Sequence, residues 1–334
     1  MGRLWLLLLL IGVYVQAQVR TTGYVKDAIS GEPLEGVSVF YDGTTLGTVT
    51  NAEGYFSITV PKSLTTPLII SFIGFETQSR MISDSGSLDT IHLKESAVEL
   101  DEVVLKPDTW SRKKKLNIFR REFLGKTMAA LQCRIRNEDD IRLYYNSEAQ
   151  ILYAYAKVPI RISNAYLGYD ITYGLHDFEV RFSIGSSGLE WVDSSYSAGT
   201  VLFTEKREKV KRKHQKNRES TYLGSVLHFM RALAGKKLAK EKFKIFYKRN
   251  QVEPYDFFEM EMTKRLTKVS QTTEQLSLLY DGREQSTLNV LDSVFFIDEY
   301  GNHTPVQNVY FGGSMGRFRA GNMLPLDYVP NTKK

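Results

Sequence analysis

Cysteine is almost missing from this chain: Cys133 is the only one. A lone thiol cannot close an internal disulfide, so stability has to come from packing. Within AALQCRI, Cys133 reads as a small buried hydrophobe rather than a nucleophile. Histidine is scarce as well, with five residues, which leaves few imidazoles for metal or acid–base chemistry. No charge of one sign dominates. The 44 basic and 38 acidic residues leave +6, a modest excess held in local clusters. Such a balance suits a polyanionic surface without specifying a partner. Beyond the first residues, no apolar run approaches the roughly 20 residues of a membrane-spanning helix.

Met1-Gly2-Arg3 is a short basic segment, Leu4 to Val15 is an apolar run, and Val15-Gln16-Ala17 ends on a small residue. This is the pattern of a secretory signal peptide over residues 1–17, cut after Ala17. The mature protein is therefore expected in the periplasm, at the outer membrane or outside the cell. No Cys lies near the cut, so a lipid on an N-terminal Cys is not available. The 334 residues suggest two domains, and 42% apolar content is enough for real cores.

From Gly23 onward, short runs rich in Val, Ile, Phe, Tyr and Thr alternate with turn punctuation such as Gly31-Glu32-Pro33, Asp42-Gly43 and Asn51-Ala52-Glu53-Gly54. About seven strands fit before Leu93, the pattern of a small antiparallel sandwich over residues 18–95. Leu68 to Ile73 is the most apolar of them, and Phe72 is expected in its core. The pieces GEPLEGV, GTVTNAEGYF and SFIGFE, in that order and spacing, resemble the carboxypeptidase-like regulatory domain, a transthyretin-like β-sandwich of the type found in Bacteroidetes envelope proteins. The resemblance implies a non-catalytic domain that accompanies peptidases, TonB-dependent transporters and other proteins. Leu100 to Leu105 resembles the link into a transporter plug, but the rest of the chain is expected to be too short for a plug and large barrel.

Residues 96–115 read as a linker ending in the basic cluster Arg112 to Lys115, with an extra strand expected near Val98 to Leu105. Residues 116–325 read as an α+β, largely antiparallel second domain, followed by a polar tail at 326–334. The fold class is thus mainly β. Phe119, Phe123, Met128 and Leu131 recur at helical spacing, giving an amphipathic helix over Leu116 to Leu131 that Gly125 can break. Tyr169, Ile171 and Tyr173 alternate as one strand, Phe178, Val180, Phe182 and Ile184 as the next, and Tyr196 to Phe203 as another short one. Glu205 to Arg218 is strongly basic and reads as a solvated segment or a contact patch. A second helix follows Ser220 as its cap and ends at Gly235. The pieces ISNAYLGYDITYGLHDF and YLGSVLHFMRAL resemble the region that often follows this regulatory domain in Bacteroidetes proteins, over much of 112–325; that implies shared architecture and no reaction.

Chemistry is thin. His92 and Glu95 spell HxxE, but at the end of a sandwich strand, and His176, His214, His228 and His303 supply no recognisable third ligand. Asp193, Ser194, Ser195, Ser225 and His228 form no GxSxG elbow. Gly185 to Gly188 and Gly312 to Gly316 lack the Lys of a phosphate loop. The acid pairs Asp139-Asp140 and Asp256/Glu259 need a facing cleft to act on a glycosidic bond. No catalytic, cofactor or metal residue is assigned. The nineteen tyrosines, clustered at 144–155 and 166–173, suit sugar stacking or a protein interface. The expected function is a non-catalytic exported binding or scaffolding module. The alternatives are a carbohydrate- or peptide-binding accessory of an outer-membrane transport system, and a peptidase-like hydrolase with an unrecognised site. Expected partners are an envelope protein or glycan and an anionic membrane surface, not nucleic acid.

Overall fold

The computed structural model describes residues 18–82, 86–96, 110–185 and 189–331. The leader at 1–17 and the strand expected near Val98 to Leu105 lie outside them. Seven strands form the N-terminal sandwich: β1 (Gln18–Asp27), β2 (Ser38–Tyr41), β3 (Gly47–Val49), β4 (Tyr55–Pro61), β5 (Leu68–Ser71), β6 (Gln78–Arg80) and β7 (Ile91–Leu93). One sheet has the order β4-β1-β7 and the other β3-β2-β5-β6. All pairs are antiparallel except β1 with β7. In β4, Phe56, Ile58 and Val60 face inward while Tyr55, Ser57 and Thr59 face outward, the period of two that a half-buried strand requires. The sheets close on Val25, Val39, Phe56, Leu68 and Ile70. Phe72 is a correction: it sits just past the end of β5, half-buried, beside Phe75 at 5.5 Å between ring centres.

The rest of the chain is built from α1 (Arg112–Leu124), α2 (Met128–Leu131), β8 (Cys133–Ile135), β9 (Ile141–Asn146), β10 (Ile151–Ala156), β11 (Ile160–Asn164), β12 (Tyr169–Ile184), β13 (Glu190–Glu205), α3 (Arg212–Tyr222) and α4 (Val226–Ala234). The strands form a sheet of order β8-β11-β12-β10-β9, with β13 added to β12. Helix α1 lays Phe119 and Phe123 on its inner face, against Phe178 and Tyr173. Gly125 ends α1 at φ 98°, a left-handed value that a side chain resists, so the expected long helix becomes two. A similar break at Gly224 (φ 75°) makes Ser225, not Ser220, the cap of α4.

A further core lies under β14 (Phe243–Tyr247), β15 (Asn250–Val252), β16 (Phe258–Met262), β17 (Leu266–Gln271), β18 (Gln275–Tyr280), β19 (Glu284–Val290), β20 (Val294–Asp298), β21 (His303–Thr304), β22 (Val309–Gly312) and the short α5 (Gly313–Gly316). These strands form two sheets, β15-β14-β18-β19-β22 and β16-β17-β20-β21. Helix α4 supplies Phe229, Met230 and Leu233 to that core. Among the described residues, no helix is long and apolar enough to cross a membrane.

The bodies are joined by backbone. In the sandwich turn after β2, Gly43 N donates to Val201 O (2.7 Å) and Thr44 O accepts from Phe203 N (2.9 Å), so the turn continues the edge of β13. Asp42 Oδ1 accepts from Val201 N at 2.6 Å. The C-terminal stretch, expected as a polar tail, is tied in between: Leu326 N donates to Gly43 O (2.7 Å) and Thr45 N to Asp327 Oδ1 (2.9 Å). Arg231 of α4 grips three carbonyls at once, those of Tyr300, Leu326 and Tyr328, at 2.8–2.9 Å.

Phe178 is 1% exposed, so Phe178→Ala should cost about 3–5 kcal/mol, and half-buried Phe72→Ala at most about 2 kcal/mol, both read by chemical denaturation. Arg231→Lys should cost about 2–3 kcal/mol, because a single ammonium cannot serve three divergent carbonyls as a planar guanidinium does; a loss under about 0.5 kcal/mol would overturn that role.

Candidate binding site

The residues singled out for chemistry are dispersed. His92 has an exposed ring on β7, and its carbonyl accepts from Gln78 Nε2. Glu95 lies in a bridge with Phe75. His176 is exposed at a bulge in β12, while His214 is on α3, His228 on α4 and His303 on β21. Burial pushes the His303 ring down to about 4. Among the described residues, no three His, Cys, Asp or Glu side chains are grouped to hold a metal. Ser225 Oγ accepts from the His228 backbone N at 3.1 Å, so it caps a helix rather than facing the ring. Ser195 Oγ accepts from Arg319 at 3.0 Å. Asp140 is bonded by Asn137, and Glu259 is exposed on β16. Cys133 is half-buried, and burial raises its thiol to about 12, far from thiolate reactivity.

His228 is packed against Tyr222, Phe243 and Tyr280. Its Nδ1 accepts from Gly224 N at 3.1 Å, which leaves the proton on Nε2, 3.3 Å from Glu241. Burial lowers its affinity for a second proton, and Glu241 only partly offsets this. The unfolded ring protonates more readily, so the stability that the neutral ring contributes is present above about 6.5 and is lost as pH falls.

The two tyrosine clusters part company. Tyr169 and Tyr173 are buried on the inner face of β12, and Arg218 lies 3.7 Å over the Tyr169 ring while forming a two-pronged pair with Glu205 at 2.7 Å. The expected basic patch thus loses Arg218 to the interior. In the other cluster Tyr145 is buried, while Tyr144, Tyr153 and Tyr155 face out. Tyr144 of β9 pairs with Tyr153 of β10, Tyr153 with Glu179 of β12, and Glu179 with Tyr196 of β13. Three tyrosines and a carboxylate therefore stand in one row across four strands, about 15 Å at normal strand spacing. Tyr155 adds a ring 6.4 Å from Tyr153, in near-parallel planes. Tyr155 and Tyr196 are 58% and 54% exposed, large values for side chains that usually find cover.

A separate open cavity of about 770 Å³ lies between α1 and the far end of the β12–β13 hairpin. Its lining includes Trp110, Lys113, Lys114, Arg121, Lys126, Glu190 and Trp191. Trp110 is stacked on Tyr145 at 3.6 Å, and Lys114 Nζ lies 3.4 Å over the Trp110 ring while bonding Glu190 at 3.1 Å. Little in the sequence marks either tryptophan. The one available signal was Trp110 directly before the helix-capping Ser111 and the basic run.

A titration of the His228 ring by NMR should give a midpoint below 6.5; a midpoint above it would mean that Glu241 outweighs burial.

Comparison with known proteins adds the family setting. A TonB-dependent receptor of Formosa agariphila is 37% identical over 108 residues, 31% of this chain and 10% of its own length. TonB-dependent receptor SusC of Bacteroides thetaiotaomicron is 33% identical over 105 residues, 30% of this chain and again 10% of its own. This chain thus spans about a tenth of these relatives. A solved cohesin–X-dockerin complex of Acetivibrio cellulolyticus is 22% identical over 22% of this chain and 56% of that one, with a TM-score of 0.20. The family model of the CarboxypepD_reg-like domain matches residues 21–105. The N-terminal sandwich thus matches the CarboxypepD_reg-like domain, and the TonB-dependent receptors are similar to this chain over its N-terminal region.

Proposed function

We propose that this chain is a non-catalytic exported envelope protein that binds a partner through the outer face of its six-stranded sheet, in association with an outer-membrane transport system. The row of Tyr144, Tyr153 and Tyr196, with Tyr155 beside it, is the observation that carries this reading. Rigid aromatic side chains lose little conformational freedom on contact, and each offers both a flat apolar face and a hydroxyl. Glu179, with Arg181 bonded to it at 2.7 Å, gives the face polar register. The envelope setting is supported by the sandwich, which this chain shares with TonB-dependent receptors. A second reading is a carbohydrate-binding accessory. The alternation of tyrosine rings with the carboxylates Asp177 and Glu179 favours it, since sugars offer apolar ring faces and hydroxyl donors together.

Tagged full chain recovered from envelope extracts should bring down a protein of the transport system. Tyr153→Ala with Tyr155→Ala should cut that recovery about tenfold, the scale of a lost aromatic hot spot. No reproducible partner, or recovery indifferent to the double substitution, would sink the first reading. Binding to neutral polysaccharide that the same double substitution abolishes would establish the second instead.

A further inference from the structure

The cavity beside α1 lies apart from the tyrosine face and does not depend on the role given to that face. We propose that it is a binding site for an acidic oligosaccharide, one whose sugar units carry carboxylate or sulfate groups. Lys113, Asn117 and Arg121 stand at i, i+4 and i+8 on α1, one stripe about 12 Å long at the helical rise, with Lys126 beyond its end. Cations at the two ends of that stripe and one just past it match repeated negative charges along a chain better than one isolated phosphate.

The charges are not equivalent. Lys114 is held by Glu190 and the Trp110 ring and closes one end. Arg121 and Lys126 share the buried carboxylate of Glu122, at 2.6 and 3.8 Å. Four cations thus face two carboxylates, and exposed Lys113 has no ion pair among the described residues. The two tryptophans differ in the same way. Tyr145 and Lys114 occupy Trp110, so it serves as a post, whereas Trp191 lines the cavity edge, is 51% exposed and has no ring contact among the described residues. A ring beside a row of cations suits an anionic sugar better than an acidic peptide, which needs only the charge. Concavity disfavours a bilayer surface, which cannot enter a recess between a helix and a hairpin.

Calorimetric titration of the purified full chain tests this with four probes: a polygalacturonate hexasaccharide, a heparin hexasaccharide, maltohexaose and hexaglutamate. At least one acidic sugar should bind and should weaken as salt is raised. Trp191→Ala and Lys113→Gln should each weaken it about tenfold, and Tyr153→Ala with Tyr155→Ala should leave it unchanged. Preference for one acidic sugar identifies the anionic group. Both trough substitutions are at exposed positions, so their melting temperatures should match that of the unaltered chain and separate lost binding from lost fold. Failure of both acidic sugars to bind overturns the assignment. So does hexaglutamate binding as tightly as they do, or acidic-sugar affinity that Trp191→Ala leaves intact. Loss of acidic-sugar binding through the tyrosine substitutions alone would move the site to the other face.

Discussion

Pairing along the 16 residues of β12 and the 16 of β13 constrains every other part of the middle of this molecule. Strand side chains alternate, so one slip in register exchanges a core face for a solvent face. In β12 the inward residues are Tyr169, Ile171 and Tyr173 before the irregularity at Leu175/Asp177, and Phe178, Val180 and Phe182 after it. The odd positions give way to even ones because a bulge adds one residue at exposed His176. Without that extra residue, Asp177 and Glu179 would point at Phe119 and Phe123. With it, α1 rests on a continuous apolar surface, and the carboxylates join the tyrosines outside.

The same hairpin carries the attachment of the sandwich. Thr44 bridges Leu202, and Asp42 places a carboxylate on the Val201 N–H. Burial raises the pKa of Asp42, so the bond is made at some cost in desolvation. Backbone pairing of this kind has little rotational slack. It is reinforced from the other side by Arg231, whose three carbonyl partners come from two separate stretches of chain. A second polar contact joins the sandwich to β20: Thr65 Oγ1 donates to Asp298 Oδ2 at 2.8 Å, and Tyr300 beyond it packs on the sandwich core. The sandwich is thus held at several points, not hung from a hinge.

Much of this was legible in local pattern. The seven sandwich strands follow turn chemistry that acts over a few residues, and Asn51 and Asp27 do bond their own following backbone. Asn146 uses the same chemistry in the turn between β9 and β10, where its Oδ1 accepts from Glu148 N and Ala149 N. The long strand β12 reads as two in sequence, because its hydrophobic phase shifts at the bulge and a change of phase looks like a change of strand. The tyrosines at 169 and 173 look like those at 144 and 153 in sequence, since alternation alone does not say which face is covered. Trp191 and Tyr196 gained meaning only from β9, β10 and α1, none of which is adjacent to them in the chain. Arg231 and Arg218 were indistinguishable in sequence from solvated surface arginines.

Where ligand-directed groups remain can be argued from what the sandwich does with its polar side chains. Thr21 bonds Tyr41, Thr50 bonds Val37 and Leu34, Thr66 bonds Asp42, and Asp27 caps its own turn. Buried polar groups left without partners are costly, so a small sandwich uses these side chains internally to hold its strands and its junction. The hairpin differs. Its core is closed by aromatic and aliphatic residues, which need no polar partners, so Glu179, Tyr153, Tyr155 and Tyr196 on its outer face, Trp191 near its tip and Lys113 of α1 carry little structural duty. Side chains with little structural duty are the ones that can be committed to a ligand without weakening the fold. In this chain they lie on the hairpin that the sandwich helps to hold in place, and on β10 and α1 beside it.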